Sequence, residues 1–346
     1  MRTLLLCLAV CNSVWCVTAM TQSRSQGADK PLMTLVEQLK PPFSTTERVR
    51  AAEALEGYGE SAVAPVTKLL RSGDRRTRKY ACLALTRLGP CAEAAVPDLT
   101  AIVADSNSPL RREAVIALGR IGPAASDATP VLCRVFREDD EILLRDCVVE
   151  TLADIGKGAV RTLAENLQSG DIAVCQSVCV ALQRIGPEAK EALPALIALV
   201  SVADQGLRDA IFLALAQMGA PAVGDLTRML QHEDKHMRRL AAMALSKMSS
   251  EAAPAVRALC HVTGDPEADV RFWAVRALAR IGESGHGVSD CLVRASLDED
   301  ADVRWQAAVA MRATRVNESS QQALRSLLND AHPAVRAEVE AALGNR

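Results

Sequence analysis

Residues 105–123 read Asp-Ser-Asn-Ser-Pro-Leu-Arg-Arg-Glu-Ala-Val-Ile-Ala-Leu-Gly-Arg-Ile-Gly-Pro. Counted from Arg111, apolar side chains fall at −1 (Leu110), +3 (Ala114), +7 (Leu118) and +10 (Ile121). Those positions share one face of a helix with 3.6 residues per turn. Gly122 follows at +11. A glycine there stops the helix in a left-handed conformation that other residues adopt only at a cost. The stretch predicts an amphipathic helix with one buried face and a fixed end.

The same pattern recurs along the chain. Arg48, Arg78, Arg111, Arg145, Arg208, Arg238, Arg271, Arg304 and Arg336 hold the reference position, Cys175 takes it once, and the spacing is 30–34 residues. Position +3 is always apolar, from Ala51 to Val339. Position +6 is Ala except at Thr151, and +7 is Leu except at Met311. The constant Ala lets a neighbouring helix come close. Gly returns at Gly59, Gly89, Gly156, Gly186, Gly219 and Gly282. The helix after each Gly often carries a Pro one turn in, as at Pro65, Pro97, Pro130, Pro194 and Pro254. First-turn amides have no intrahelical partner, so Pro is tolerated there. An Asp then stands four or six residues before the next reference position: Asp74, Asp105, Asp171, Asp204, Asp234, Asp265, Asp298 and Asp330. Such an Asp is suited to cap the helix that follows.

Self-similarity at this period marks a repeat array. The run 105–123 resembles a HEAT repeat, and more narrowly the short HEAT-like repeats named after phycobilisome bilin lyases. The resemblance covers about 31–346 and implies an all-α, right-handed α-solenoid of about ten helical hairpins. These are bounded near 31–59, 60–89, 90–122, 123–156, 157–186, 187–219, 220–249, 250–282, 283–315 and 316–346. It also implies that first helices line the convex side and second helices the concave side. Turn Asp and helix Arg are implied to pair along the stack, so the nine arginines read as a structural ladder rather than an anion-binding series. Cys175 interrupts that ladder, and a weaker joint is expected there. Basic residues at +9, such as Arg87, Arg120 and Arg280, close their helices, where a cation is favourable.

Composition agrees with this unit. Hydrophobic residues make up 49% of the 346 positions and aromatics 3%, as two fixed Ala and Leu slots would give. A disordered chain would be poorer in apolar residues and more highly charged. Lys plus Arg is 40 and Asp plus Glu is 42, so bulk attraction to phosphates is excluded and no nucleic-acid partner is expected.

Residues 1–19 (MRTLLLCLAVCNSVWCVTA) have one basic residue, an apolar stretch and a small-residue end, the pattern of a secretory signal peptide. An uncleaved N-terminal anchor is the alternative; apart from that segment no membrane contact is expected. Residues 20–30 read as a flexible lead-in, and 31–346 as one repeat solenoid. The expected location is exported, periplasmic or extracellular. Eight cysteines remain after residue 19: Cys82, Cys91, Cys133, Cys147, Cys175, Cys179, Cys260 and Cys291. Cys82 and Cys179 occupy the small-residue +4 slot. Mostly free thiols are expected, with one or two disulfides as the alternative. Asn317-Glu318-Ser319 is a glycosylation sequon.

Catalytic patterns fail on the register. His232-Glu233-Asp234-Lys235-His236 matches the zinc-protease signature H-E-x-x-H, which needs both His on one helix. Asp234 is a turn residue, so the two fall on different elements. HEAT-like hydroxylases carry His-Glu pairs after the reference position; here those slots read Arg112-Glu113, Asp146-Cys147, Asp209-Ala210 and Arg239-Leu240. No catalytic residue, metal site or cofactor is assigned.

The two Trp beyond residue 19, Trp273 and Trp305, lie in adjacent repeats. Phe272 and Trp305 share the +1 slot, which is otherwise mainly polar and expected to be exposed, and Arg276 stands one turn from Phe272. Exposed aromatics beside Arg are common interface chemistry. Phe272, Trp273, Arg276 and Trp305 are the candidate partner site; the alternative packs Trp273 inside and lays Phe272 over the repeat joint. The expected function is a non-catalytic scaffold, monomeric, binding a protein or peptide on its concave face. The alternative is an enzyme or enzyme subunit resembling bilin lyases or HEAT-like hydroxylases.

Overall fold

The computed structural model describes residues 31–139, 141–282, 287–313 and 318–344. The expected signal segment 1–19, the expected lead-in 20–30 and Asn317 of the sequon lie outside the described residues. All regular structure among them is helical, and the α-helices form ten pairs. The chain divides into two compact units, one ending at Ala159 and the other beginning at Val160.

The first unit contains α1 (Leu32–Gln38), α2 (Thr45–Leu55), α3 (Glu60–Leu69), α4 (Arg75–Leu88), α5 (Val96–Ala104), α6 (Arg111–Ile121), α7 (Thr129–Glu138) and α8 (Ile142–Ile155). α9 (Lys157–Asn166) contains the division. The second unit continues with α10 (Ile172–Ile185), α11 (Leu193–Leu199), α12 (Gln205–Met218), α13 (Val223–Met229), α14 (Lys235–Met248), α15 (Val256–Val262) and α16 (Ala268–Ile281). It ends with α17 (Val288–Ala295), α18 (Ala301–Ala313), α19 (Glu318–Leu327) and α20 (Pro333–Gly344). Odd-numbered helices are the first of each pair. Even-numbered helices carry the reference position and pack on one another within each unit, α4 on α6, α6 on α8, α14 on α16 and α16 on α18.

The periodic slots are the core. Leu85, Leu118, Leu182, Leu215, Leu245 and Leu278 at +7 are fully buried, as are Ala84, Ala117, Ala181, Ala214, Ala244 and Ala277 at +6. No hairpin has a second face to bury these against; the neighbouring hairpin supplies it. Thr151 breaks the Ala rule, and its hydroxyl donates to the Val115 carbonyl of α6 at 2.9 Å. Gly119 makes room for it. A Cβ built on Gly119 would stand 2.8 Å from Thr151 Oγ1.

The helix-stopping glycines have positive φ, but their ψ corrects the sequence expectation. Gly122 lies at φ 73°, ψ −136° and Gly282 at φ 63°, ψ −144°, outside the left-handed helical well. That region is more hostile to a Cβ than the left-handed well, so it selects glycine more strictly. Ser249 occupies the equivalent place in the next-to-α15 turn at φ 55°, ψ −127°. Two prolines also differ from expectation. Pro97, Pro130 and Pro194 do open their helices, whereas Pro254 sits in the 3-10 turn Ser249–Ala255. Pro65 falls inside α3, because that helix starts directly at Glu60 without such a turn.

Candidate interaction face

The reference arginines tie each turn to its own helix. Arg238 Nη1 donates to the carbonyls of His232 and Glu233, Arg271 Nη1 to Asp265 and Pro266, and Arg304 Nη1 to Asp298 and Glu299, at 2.7–3.2 Å. Arg48, Arg78, Arg111, Arg145, Arg208 and Arg336 also donate to carbonyls of the preceding turn or of the end of the preceding helix. Cys175 keeps a weak form of this contact, its Sγ 3.4 Å from the Leu167 carbonyl.

Some arginines also reach forward into the next repeat. Arg238 holds Asp265 through two hydrogen bonds of 2.6 and 3.0 Å, Arg271 holds Asp298 through 2.8 and 2.9 Å, and Arg304 holds Asp330 through 2.7 and 2.9 Å. In the first unit Arg111 pairs with Asp139. Two-pronged guanidinium–carboxylate bonds of this kind combine charge with fixed geometry. Arg271 and Asp298 are 7% and 8% exposed, so little solvent screens them. The Arg304 bond holds the Asp330 carboxyl below its ordinary pKa of 3.8. Asp139 is lowered too, first by the Glu141 amide and then by Arg111.

All four paired aspartates stand six residues before the following reference position. In each, one oxygen accepts the amide two residues on: Asp139 from Glu141, Asp265 from Glu267, Asp298 from Asp300, Asp330 from His332. The remaining carboxylate edge is left for the arginine of the preceding repeat. Aspartates four residues before the reference position do something else. Asp74, Asp171, Asp204 and Asp234 are N-caps whose carboxylates accept the first amides of α4, α10, α12 and α14, and Asp300 accepts the Asp302 and Val303 amides of α18 in the same way. Where −4 is the aspartate, −6 is often another acceptor: Ser72 accepts the Asp74 amide, Ser169 the Asp171 amide and His232 Nδ1 the Asp234 amide. These make the turn but carry no carboxylate for the arginine. Asp105 is the exception, since it accepts the Asn107 amide without pairing with Arg78. Its helix α6 starts only at Arg111, so the loop before it runs on longer than in the paired repeats.

The H-E-x-x-H segment is divided by the Asp234 cap. His232 is an acceptor within the turn, and His236 Nδ1, at the start of α14, lies 3.5 Å from Arg208 Nη1. Among the described residues no cluster of His, Cys, Asp and Glu could hold a metal ion. No single described helix is long and apolar enough to cross a membrane.

The four candidate partner residues lie on α16 and α18 and are all half-buried. Phe272 and Trp273 meet edge to face, with ring centroids 5.6 Å apart. The Arg276 guanidinium lies 5.2 Å over the Trp273 ring, not against Phe272. Phe272, Trp273 and Arg276 thus form one aromatic–cation unit, and Trp305 stands in the next repeat outside their ring contacts. The +1 slot is therefore less open than its polar neighbours suggest. One feature of the face was missed in the sequence. Position +5, on the same side of the second helices as +1, carries exposed apolar side chains: Ile116 on α6 in the first unit, Val180 on α10 and Leu213 on α12 in the second, each 38–39% exposed. Met243 and Val309 hold the same slot half-buried. The signal was a slot off the core face that is apolar in most repeats but charged at Glu53, Glu150 and Arg276, and it was hidden inside an Ala- and Leu-rich helix.

Cys260 and Cys291 form a disulfide between α15 and α17, with a Cα–Cα distance of 5.5 Å. Their separation of 31 residues is one repeat length. Burial pushes the Cys82 and Cys179 thiols up to about 12, as expected for core residues rather than nucleophiles.

Solved structures of similar fold include a karyopherin, Kap121p, bound to the extreme C-terminus of the protein phosphatase Cdc14p, with TM-score 0.57, 13% identity, 95% of this chain and 43% of that chain covered. Kap121p bound to Nup53p gives TM-score 0.54, 14% identity and coverages of 99% and 48%. An engineered protein aligns over 98% of its length at 22% identity and TM-score 0.39. The chain spans less than half of the karyopherin chains it matches. No curated protein sequence matches it. The family model for HEAT repeats matches residues 32–118, 69–153, 96–183, 193–263 and 256–344 in overlapping copies, and the chain belongs to the HEAT repeat family.

Proposed function

We propose that this chain is an exported, non-catalytic scaffold that binds a protein or extended peptide on the face of its second helices, the concave face of the solenoid. The observation that carries the reading is the set of apolar side chains at +5, with Val180 and Leu213 open to solvent, leading in sequence to the Phe272–Trp273–Arg276 unit and Trp305. Aromatic and Arg anchors beside small apolar positions are the usual energetic centre of an interface. Extended surfaces made of stacked repeats suit long partners. The solved karyopherins of similar fold are complexes with a protein terminus and with Nup53p, which supports the same class of partner. The Cys260–Cys291 disulfide favours an oxidising compartment, in line with an N-terminal signal. The short-repeat subtype of the bilin lyases remains our reading of the repeat period.

The test is crosslinking in the native envelope with mass spectrometry, followed by direct binding of the identified partner. Phe272→Ala with Trp305→Ala is expected to weaken binding at least about tenfold, the scale of hot-spot loss. Unchanged binding by a folded double variant would overturn the assignment. Bound iron or a chromophore in the purified protein would favour the enzymatic alternative.

A further inference from the structure

The opposite side of the second unit carries a different kind of site. A cleft of about 920 Å³ runs across the first helices α13, α15 and α17. Arg257 and His261 enter it from α15, one turn apart, and Arg294 enters from α17. No Asp or Glu is among the described residues that line it. Arg257 and His261 are exposed and have no ion-pair partner among the described residues. Arg294 is oriented rather than free, its Nη2 3.5 Å from both the Cys260 carbonyl and Cys291 Sγ. The Cys260–Cys291 disulfide fixes α15 to α17 and so sets the Arg294 guanidinium of one repeat relative to Arg257 and His261 of the other. The rest of the wall mixes apolar Pro254 and Ala258 with the uncharged polar side chains of Thr227, Gln231 and Thr263.

We propose that this cleft binds an acidic peptide segment, whose carboxylates pair with Arg257, His261 and Arg294 while its aliphatic stems lie on the Pro254–Ala258 wall. The volume is within the range of ligand clefts. Fixed guanidinium groups match carboxylates in pairs of hydrogen bonds. Two unopposed guanidinium groups and an imidazole across two repeats, with space between them, fit an extended chain better than a single small ion. The site is separate from the second-helix face and does not depend on that face being an interface.

The probe is a fluorescein-labelled hexaglutamate peptide, read by fluorescence anisotropy on the full chain at low salt. Binding is expected, with hexalysine failing to bind. Arg257→Ala with Arg294→Ala should weaken hexaglutamate at least about tenfold, in keeping with charge-assisted pairs. The thermal melt of that variant should stay at the wild-type value, since neither side chain is buried. Phe272→Ala with Trp305→Ala should leave hexaglutamate binding unchanged, which separates this site from the other. The proposal is overturned if the arginine variant binds as tightly as wild type, if the aromatic variant alone abolishes binding, or if inorganic phosphate binds as tightly as the peptide.

Discussion

Asp298 in the second unit and Asp74 in the first stand in corresponding turns, two residues apart in register. Asp298 accepts the Asp300 amide with one oxygen and gives its remaining edge to Arg271 of the preceding repeat. Asp74 turns both oxygens onto its own helix, accepting from Arg76, Thr77 and the Thr77 hydroxyl. Arg48, in the preceding repeat, is left with the Phe43 carbonyl and the face of Tyr80, and its Nη1 is buried without a hydrogen-bond partner. An aspartate at −6 thus makes a clasp between repeats and one at −4 a cap within a repeat. The Asp298 turn has both, since Asp300 accepts the Asp302 and Val303 amides, whereas the Asp74 turn has the cap without the clasp. Three successive clasps, Arg238–Asp265, Arg271–Asp298 and Arg304–Asp330, lie in the repeats that carry the aromatic unit and the disulfide. If the aromatic unit is a binding site as proposed, its side chains on such a braced run would lose less freedom on docking.

The strongest way to break the contrast is to remove half of a clasp. Arg271→Ala is expected to cost about 3–5 kcal/mol by urea denaturation, because the Asp298 charge stays buried and unpaired. Asp298→Ala should cost less, since Arg271 keeps Glu299 at 3.2 Å. The clasps also predict acid sensitivity. A carboxyl with a lowered folded pKa, as at Asp330 and Asp139, contributes stability that is complete above its ordinary value of 3.8. The contribution fades as pH falls through the lower folded value. Urea midpoints followed from pH 5 to about pH 2 should therefore fall less steeply in Asp330→Asn than in wild type, once its lower starting stability is allowed for.

The first unit has its own lock at the α6–α8 joint, where Gly119 lies against both Thr151 and the Asp154 carboxylate. Gly119→Ala would raise helix propensity, yet the new methyl meets Thr151 Oγ1. Calorimetry should show a loss of about 1–3 kcal/mol, the scale of overpacking. Thr151→Ala should relieve much of it in the double variant. A Gly119→Ala protein as stable as wild type would refute the close approach. The smallest expected effect is a gain. Ser249→Gly removes a side chain from φ 55° and should stabilise by roughly 0.5–1 kcal/mol.

Much of the fold was legible in the sequence because a helix face is a matter of spacing. Leu at +7 and Ala at +6 can only be core when they recur every repeat, and both slots are buried. The turn was less legible. Both offsets of Asp were visible, but a spacing does not say which way a carboxylate points, and Asp139 was passed over despite sharing the six-residue offset. The backbone of the glycine stops was read correctly in φ and not in ψ, since composition reports only that a Cβ is excluded. At the candidate site, residue types and slots were readable, whereas Arg276 stacking on Trp273 required the direction of side chains. The disulfide followed from the packing of α15 on α17, which thiol spacing alone could not distinguish from incidental cysteines.

The most direct test of the two-residue rule uses Ser72, which already accepts the Asp74 amide six residues before Arg78. Ser72→Asp should supply the missing carboxylate to Arg48 and stabilise the chain by about 1.5–3 kcal/mol, the worth of hydrogen bonds to a charged group. The same substitution in an Arg48→Met background should give no gain. Equal effects in both backgrounds, or no gain with Arg48 present, would contradict the account.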